Sequence, residues 1–372
     1  MKSRRSAGRV IIAIAAIVVA VLLLMTPSVQ SVLKDIITSP FRPRYPEETN
    51  FTLERTLTID ANGGTVQSFT IDMPEPMNIV ENGQQLQVIH SVEYSVDVER
   101  STRYGHNWTV WNQDAPFSGK RTMTATYEVT ARTVIWDIDP AASGNISDVP
   151  VELGQQYLHN EWVIWSNDPS EPESSKASHL SQLSKLSQEI VGDEDNVYLV
   201  LRSIYDWMRD NISYSASSGH PQNATETMST RKGDCDDQSI LFCSLARAAG
   251  VPAWLQLGAM YVGIEGRWGG HAWLQAYIPL KEGGGENVVI DPANGEFMVW
   301  RANRFAEFTD DGDADHLMDY YFILSMMSGA EADLYDSYEP LSYKESEKKI
   351  SQGSVLAMDV MPDERFLAPS RT

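Results

Sequence analysis

The period of the apolar residues changes along the chain, and this change most restricts the folds open to it. Apolar and polar residues alternate strictly in three stretches, 51–59, 88–98 and 123–131. Such alternation is typical of antiparallel strands that bury one face. Gly63-Gly64 and Asn82-Gly83 provide turn residues between the strands. We therefore predict an antiparallel β-sandwich over residues 49–140.

A helical period replaces the alternation further along. Val197, Leu201 and Ile204 are spaced as on one face of an amphipathic helix, for which Asp195 is a candidate N-cap. A second helix begins near Cys235 and ends before Gly250. Strand-like runs then follow at residues 253–262, 271–278 and 288–290. We predict an α+β domain from this mixture.

The remaining boundaries follow from composition. A Ser-, Glu- and Pro-rich stretch that becomes helical is predicted to be a linker and helical lead-in at 141–189, before the α+β domain at 190–305. Residues 306–372 are predicted to be a C-terminal extension. Within it, 318–327 fits a buried strand, and the polar tail from Tyr343 is expected to be loosely held.

The N-terminus contains one long apolar segment. Residues 10–25 are uninterrupted apolar, and with 26–29 they reach the length of about 20 residues that a spanning helix needs. Four basic residues precede it, which predicts an inside N-terminus and an outside body. We predict a cytoplasmic basic segment at 1–9, a transmembrane signal-anchor at 10–29 and a stalk at 30–48.

A cleaved signal peptide is the alternative to the anchor, although its apolar region is usually shorter, about 7–15 residues. Both readings predict export, to the cell membrane or by secretion. Five Asn-x-Ser/Thr sequons agree with an extracellular glycoprotein; they begin at Asn50, Asn107, Asn145, Asn211 and Asn223.

The charge balance is strongly acidic. The chain has 29 Lys+Arg against 51 Asp+Glu, a formal net charge of −22. Such a surface argues against nucleic acid or anionic lipid as a partner. We predict no nucleic-acid binding; the expected membrane contact is through the N-terminal helix.

The two cysteines of the chain, Cys235 and Cys243, fall in "KGDCDDQSILFCSLARAAG". On one helix they lie about 12 Å apart, whereas a disulfide tolerates roughly 4.4–6.8 Å between Cα atoms. Two thiols in this arrangement do not face one zinc ion, and no other zinc motif accompanies them. The acidic run at 310–315 departs from a calcium loop, and a solvated acidic loop is favoured. We predict no metal and no cofactor.

A nucleophilic cysteine is the interpretation that remains. Cys235 lies at the first turn of a helix, where the dipole and free N–H groups stabilise a thiolate, whereas Cys243 lies among core residues. A base and a group that orients it are also required. His271 begins one predicted strand and Asp291 ends another. The three aspartates around Cys235 are expected to cap the helix and, uncompensated, to raise the pKa of the thiol, which makes a neighbouring imidazolium more necessary.

Three motifs carry a resemblance to a known family. "KGDCDDQSILFCSLARAAGVPAWLQLG", "GGHAWLQAYI" and "VVIDPANG" resemble, in order, the Cys, His and Asp motifs of the transglutaminase-like superfamily. The resemblance spans about residues 190–300. It implies a papain-like α+β fold and a catalytic triad of Cys235 as nucleophile, His271 as general base and acid, and Asp291 as orienting group. Matching positions beside them are Asp237, Trp273 and Gly270.

Two residues depart from the family pattern. Trp254 stands where many members have Arg, and Gln275 where Glu is common. Both lie outside the triad, so they bear on substrate preference more than on chemistry. The β-rich segment before the motifs is similar to the sandwich that often precedes this domain in exported bacterial and archaeal members.

The resemblance implies a membrane-anchored, externally facing thiol acyl-transfer enzyme that acts on protein or peptide amides. Hydrolysis, as in a peptidase or amidase, is slightly favoured over transglutaminase cross-linking, by analogy. The main alternative is a non-catalytic cell-surface binding module with the same fold. A thiol-redox protein is disfavoured because the chain has no C-x-x-C motif.

Overall fold

The alternating segments form long β-strands. The computed structural model describes residues 43–81, 83–158, 173–216, 221–321, 324–328 and 331–351. The first nine strands are β1 Arg44–Pro46, β2 Glu48–Asp60, β3 Val66–Pro74, β4 Ile79–Glu81, β5 Gln84–Tyr94, β6 Glu99–Arg103, β7 His106–Gln113, β8 Lys120–Arg132 and β9 Val134–Ile135. Every second residue of β2 from Thr49 to Ile59 is buried, as the sequence period predicts.

Within the described residues, six α-helices occupy the middle and late parts of the chain. They are α1 Val151–Tyr157, α2 Glu173–Val191, α3 Val197–Asn211, α4 Ala224–Thr230, α5 Cys235–Ala248 and α6 Ala314–Tyr321. The N-cap of α3 is Asn196, whose side chain accepts from the Leu199 N–H at 3.1 Å. The predicted cap, Asp195, instead accepts a hydrogen bond from the Asn145 side chain. α5 ends at Ala248 with Ala249 as its C-cap, and Gly250 follows with a φ of 87°, which favours glycine.

Eight further strands lie between the helices. They are β10 Ser213–Tyr214, β11 Lys232–Gly233, β12 Ala253–Val262, β13 Arg267–Pro279, β14 Gly285–Asp291, β15 Glu296–Phe297, β16 Val299–Trp300 and β17 Arg304–Thr309. Five of them form an antiparallel sheet in the order β15-β14-β13-β12-β17. α5 packs against β12 and β13. We call this five-stranded sheet the β13 sheet, after its central strand. The sequence-predicted runs at 253–262, 271–278 and 288–290 all fall inside this sheet.

The last strands are β18 Leu324–Ser328, β19 Asp333–Glu345 and β20 Lys349–Ser351. β18 pairs with β3 and β19 pairs with β2, so two strands from the predicted C-terminal extension join sheets of the N-terminal half. The resulting sheets have the orders β19-β2-β8-β5-β4 and β18-β3-β7-β6. Apolar side chains of β2 and β3, such as Leu57 and Ile71, share one buried core.

Two expectations for the C-terminal part are wrong. The buried strand expected at 318–327 is a helix up to Tyr321, followed by a strand from Leu324 in which Met327 is exposed. Tyr343 is not loosely held, because it lies in β19 opposite Phe51 of β2. The free edge of β2 offers backbone partners to this segment, a contact that composition does not reveal. The remainder of the tail, 352–372, lies outside the described residues.

The core of the sandwich extends into the β13 sheet. Trp268 and Phe305, from β13 and β17, belong to the same buried cluster as Phe51. Residues Tyr45–Ile350 accordingly form one compact unit. Among the described residues, no helix is long and apolar enough to cross a membrane. The predicted signal-anchor at 10–29 lies outside that part of the chain.

Candidate active site

His271 and Asp291 are brought together by the pairing of β13 with β14. The last pair in that ladder is Leu274 with Ile290, so Asp291 follows directly at its end. His271 lies three residues before Leu274 on β13, opposite Gly258 of β12. The His271 Nε2 and Asp291 Oδ2 atoms are 2.7 Å apart, and both side chains are fully buried. The hairpin register, which the sequence leaves open, therefore gives a His–Asp hydrogen bond.

Asp291 has further donors around it. The Asn294 backbone N–H donates to Oδ1 at 3.0 Å and its side-chain amide to Oδ2 at 2.9 Å. The Arg304 Nη2 also donates to Oδ2, at 2.7 Å. Burial raises the pKa of Asp291, but the charges of His271 and Arg304 and the hydrogen bonds outweigh it and hold the pKa well below its ordinary value. Asp291 is therefore an anion at any working pH.

Cys235 is the first residue of α5, directly after the N-cap residue Asp234. Its side chain is buried, with 4% of the residue exposed. The backbone N–H of Ala272, the residue after His271, donates a hydrogen bond to its sulfur. The sulfur thus lies against the backbone next to the candidate base.

The electrostatics of Cys235 oppose a free thiolate. Burial raises the pKa of the thiol well above its ordinary value, and the carboxylates of Asp236 and Asp234 raise it further, against the smaller effect of the Ala272 N–H. This is the direction expected from the sequence. Among the described residues, Nδ1 of buried His271 has no hydrogen-bond partner. It is the ring nitrogen left over for proton transfer once Nε2 binds Asp291.

Asp237 holds the start of α5. Its carboxylate accepts from the Asp234 N–H at 3.1 Å, and from the Gln222 N–H at 2.7 Å and side chain at 2.8 Å. It is fully buried, and burial together with Asp236 raises its pKa to about 6. Asp237 therefore fixes the loop that leads to the nucleophile.

The other two supporting residues differ in what they contact. Trp273 is fully buried, donates to Gln256 Oε1 at 2.7 Å and lies under the Arg304 guanidinium. Gly270 is half-buried, and a Cβ there would meet nothing within 4 Å. Trp273 thus packs the site, whereas the space around Gly270 gives no steric reason for glycine.

Cys243 lies in the interior of α5 and is fully buried. Burial raises the pKa of its thiol far above the ordinary value. Both cysteines are free. Cys243 is therefore a core residue, as its position among apolar neighbours predicts.

Two clusters of side chains contain possible metal ligands. The donor atoms of Asp234, Cys235 and Asp236 lie within 4.8 Å of one another, and theirs is the one such group in the described part of the chain. In the acidic loop at 310–315, the Asp310 carboxylate binds buried Arg247 at 3.0 Å, and Asp311 binds His316 at 2.9 Å. The carboxylates of Asp310 and Asp311 therefore already have protein partners.

The two departures from the family pattern contact each other. Trp254 and Gln275 are direct cross-strand partners, and Trp254 Nε1 donates to Gln275 Oε1 at 2.8 Å. The Gln275 amide then donates to Glu81 Oε1 at 2.8 Å, while Asn287 donates to Glu81 Oε2 at 2.9 Å. A carboxylate of β4 thereby contacts both strands that carry His271 and Asp291.

Sequence reasoning missed three site residues, Asn294, Glu296 and Arg304. Asn294 follows Asp291 within the quoted motif "VVIDPANG", so its place in the turn was a usable signal. Arg304 and Glu296 form a buried ion pair at 2.5 Å between Nη2 and Oε2. The one hint of it is a charge at the start of an apolar strand, which is weak evidence for a site.

A family model matches the part of the chain that contains Cys235, His271 and Asp291. Residues 184–292 match the model of the transglutaminase-like superfamily. This segment belongs to that superfamily. The transglutaminase-like segment contains Cys235, His271 and Asp291, whereas Asn294, Glu296 and Arg304 follow it. The resemblance read from the three motifs is therefore confirmed.

One of the solved structures that match this chain shares its fold. A candidate cysteine protease from Cytophaga hutchinsonii superposes with a TM-score of 0.56 at 17% identity, covering 86% of this chain and 96% of that one. The periplasmic domain of TgpA from Pseudomonas aeruginosa matches with a TM-score of 0.30 at 12% identity, covering 69% and 90% of the two chains. Red sea bream transglutaminase gives 0.27 at 11% identity, covering 68% and 50%. No curated protein matches the sequence significantly.

Proposed function

We propose that this chain is a thiol acyl-transfer enzyme that acts on protein or peptide amides. Cys235 is the nucleophile, His271 the general base and acid, and Asp291 the group that orients the imidazole. The observation that carries the proposal is the 2.7 Å contact of His271 Nε2 with Asp291 Oδ2, beside a cysteine sulfur bonded to the Ala272 N–H. Membership of residues 184–292 in the transglutaminase-like superfamily supports the same chemistry.

The first step forms the carbon–sulfur bond. Because the resting thiol is protonated, His271 Nδ1 accepts its proton as the sulfur attacks the amide carbonyl carbon. The carbonyl π electrons move to oxygen, and backbone N–H groups at Cys235 and nearby would hold this oxyanion. Asp291 stabilises the imidazolium through Nε2–H.

The second step breaks the carbon–nitrogen bond. The oxyanion electrons return to the carbonyl, the amine leaves, and it takes the proton from His271 Nδ1, which leaves an acyl-thioester on Cys235. His271 then removes a proton from the acceptor, which attacks the thioester and releases the thiol. Water as acceptor gives hydrolysis and a primary amine gives transamidation; hydrolysis is favoured slightly, by analogy with exported members of the superfamily.

A matched pair of cysteine variants tests the proposal. We expect Cys235→Ala to abolish turnover of a peptide-amide panel, whereas Cys243→Ala retains most of it, because only Cys235 lies beside His271. Running the panel with and without an added primary amine separates hydrolysis from cross-linking. Equal losses from the two variants, with both folded, would contradict the assignment of the nucleophile.

A non-catalytic surface module is the second candidate. The burial of Cys235, with 4% exposed, and the raised pKa of its thiol are the observations that favour it. A thiol-reactive activity probe distinguishes the two, since an enzyme of the proposed kind labels at Cys235 under reducing conditions. Absence of labelling on the folded protein would support the module.

We also propose that residues 10–29 anchor the protein in the cell membrane with the catalytic body outside. The proposal rests on the length of the apolar run and on its basic flank. An intact N-terminus on membrane-bound mature protein is the expected result. A new N-terminus near Ser31 would show a cleaved signal peptide instead.

A further inference from the structure

Asp291 shares an oxygen with an arginine that lies beyond the superfamily segment. Arg304 is the first residue of β17, and its side chain is completely buried. Its Nη2 donates to Asp291 Oδ2 at 2.7 Å and to Glu296 Oε2 at 2.5 Å, and its Nη1 donates to the Val299 carbonyl at 3.1 Å. These three bonds fix the guanidinium against the carboxylate that orients His271.

The charges around Arg304 form a balanced cluster. Arg301 donates to the other oxygen of Glu296 at 3.0 Å, so two arginines accompany two buried acids, Glu296 and Asp291. Arg304 is the arginine of this pair that reaches Asp291. A buried carboxylate without a counter-charge is costly and either takes up a proton or holds a nearby cation. Here the permanent positive charge of Arg304 stabilises the ionised carboxylate of Asp291.

This arrangement has a consequence for His271. A carboxylate already paired with a guanidinium does not depend on an imidazolium for its counter-charge, and a general base must be unprotonated at rest. We propose that Arg304 is a positioning residue that keeps Asp291 ionised and holds its carboxylate in place to orient His271 in the resting enzyme. The inference rests on the proposed function, because Arg304 acts through the His271–Asp291 pair.

Other charges face the same groups and define the expected sign. Several ionisable groups of the described residues lie around the His271–Asp291 pair. They include Cys235, Asp234 and Asp236 at the start of α5, Glu296 on β15, Arg301 before β17, Arg304 on β17, and Tyr45 on β1. Loss of the Arg304 charge leaves the carboxylates in excess. Cys235 then holds its proton more tightly, so the thiol ionises at higher pH.

The test follows alkylation of Cys235 by iodoacetamide as a function of pH, with the Cys235 peptide quantified by mass spectrometry. We expect Arg304→Gln to move the midpoint upward by roughly one to two pH units, the size expected for removing a charge about 6–12 Å from the thiol at an effective dielectric constant of about 20. The acid limb of peptide-amide turnover moves in the same direction. A midpoint that stays at the wild-type value would overturn the proposal.

Arg301→Gln is the matched control. It removes an arginine from the same Glu296 without touching Asp291, so the midpoint is expected to stay at the wild-type value. Arg304→Lys keeps the charge and is expected to restore the midpoint, while kcat falls because an ammonium group cannot bridge both carboxylates in the same geometry. A shift in Arg301→Gln equal to that in Arg304→Gln would show a general charge effect and overturn the specific role of Arg304.

A double variant guards against misfolding. Arg304→Gln with Glu296→Gln removes one charge of each sign, so the cluster keeps its net charge while Asp291 still loses its partner. We expect this variant to fold, by circular dichroism, and to show a smaller upward shift than Arg304→Gln, because loss of the Glu296 charge offsets part of the loss of the Arg304 charge; a folded double variant with an unmoved midpoint would overturn the proposal. The alkylation readout needs no substrate. Turnover surviving in Cys235→Ala would therefore refute the proposed function while leaving the Arg304 measurement interpretable.

Discussion

At the scale of single residues, the start of α5 combines the proposed nucleophile with three buried acids. Asp234, Asp236 and Asp237 satisfy or flank the first N–H groups of the helix, yet the charges of Asp236 and Asp234 oppose ionisation of Cys235. Helix capping and thiolate stabilisation therefore compete at one place. The site resolves this conflict through His271, which can accept the proton at the moment of attack rather than before it.

The raised pKa of Asp237, about 6, predicts a pH dependence of stability. The folded-state pKa exceeds the ordinary value of 3.8, so the native state binds more protons than the unfolded state between these pH values, and stability falls as pH rises through that window. At most about 3 kcal/mol is at stake from a shift of about two units.

Urea unfolding of wild type and Asp237→Asn at pH 4 and pH 7 measures this contribution. We expect the stability advantage of wild type over the variant to shrink toward pH 7. The opposite trend would show that the three hydrogen bonds to the carboxylate dominate over its burial.

At the scale of elements, a short edge strand supports the two strands of the triad. β4 ends at Glu81, whose two oxygens accept from Gln275 of β13 and Asn287 of β14. Burial raises the pKa of Glu81, against the two amide hydrogen bonds. The hydrogen bonds join the strands four residues away from His271 and from Asp291, and they limit sliding of one strand on the other.

Removal of the Glu81 carboxylate should therefore affect both stability and turnover. We expect Glu81→Ala to lower the free energy of unfolding by about 1–3 kcal/mol, since the buried amide of Gln275 and the half-buried amide of Asn287 lose their acceptor, and to lower kcat more than it changes KM. Glu93→Ala, at an exposed position of β5, is the control and should behave as wild type. Wild-type kcat in a destabilised Glu81→Ala protein would show that the contact holds the fold without positioning the triad.

At the scale of the whole molecule, largely buried ion pairs join the sandwich and the β13 sheet. Arg55 of β2 donates to Glu307 of β17 at 3.1 Å and to Asp336 of β19 at 2.6 Å. Tyr338 of β19 also donates to Glu307, at 2.7 Å. Burial lowers the pKa of Arg55, but the two carboxylates outweigh it and raise it well above its ordinary value. Three distant parts of the chain thus meet at one arginine.

Loss of this arginine is expected to destabilise the whole unit. Arg55→Met leaves buried Glu307 without its cation, which should cost about 3–5 kcal/mol. Arg100→Met, at a largely exposed arginine paired with Glu75, should cost at most about 1 kcal/mol. Urea unfolding followed by circular dichroism and by residual turnover should give coincident midpoints; separate transitions would mean that the sheets fold independently.

Much of the fold could be predicted because its signals are local. The alternation that places Leu53 and Leu57 inside, the apolar face of α3, and the order of the Cys235, His271 and Asp291 motifs are all readable along the chain. The misread segments lack such signals. Residues 318–327 mix apolar and charged side chains, and the polar β19 gains its place from the edge of β2 rather than from its own composition.

By itself, the sequence determined the strand-rich first half, the helix that begins at Cys235, and the identity of the triad candidates, since periodicity and short motifs depend on neighbours in the chain. Only the tertiary structure decided that β13 and β14 pair in the register that joins His271 to Asp291, and that Arg304 lies against that pair. It also decided that β18 and β19 return to the sandwich. These outcomes depend on burial and backbone pairing between residues far apart in sequence, where no local pattern records the partner.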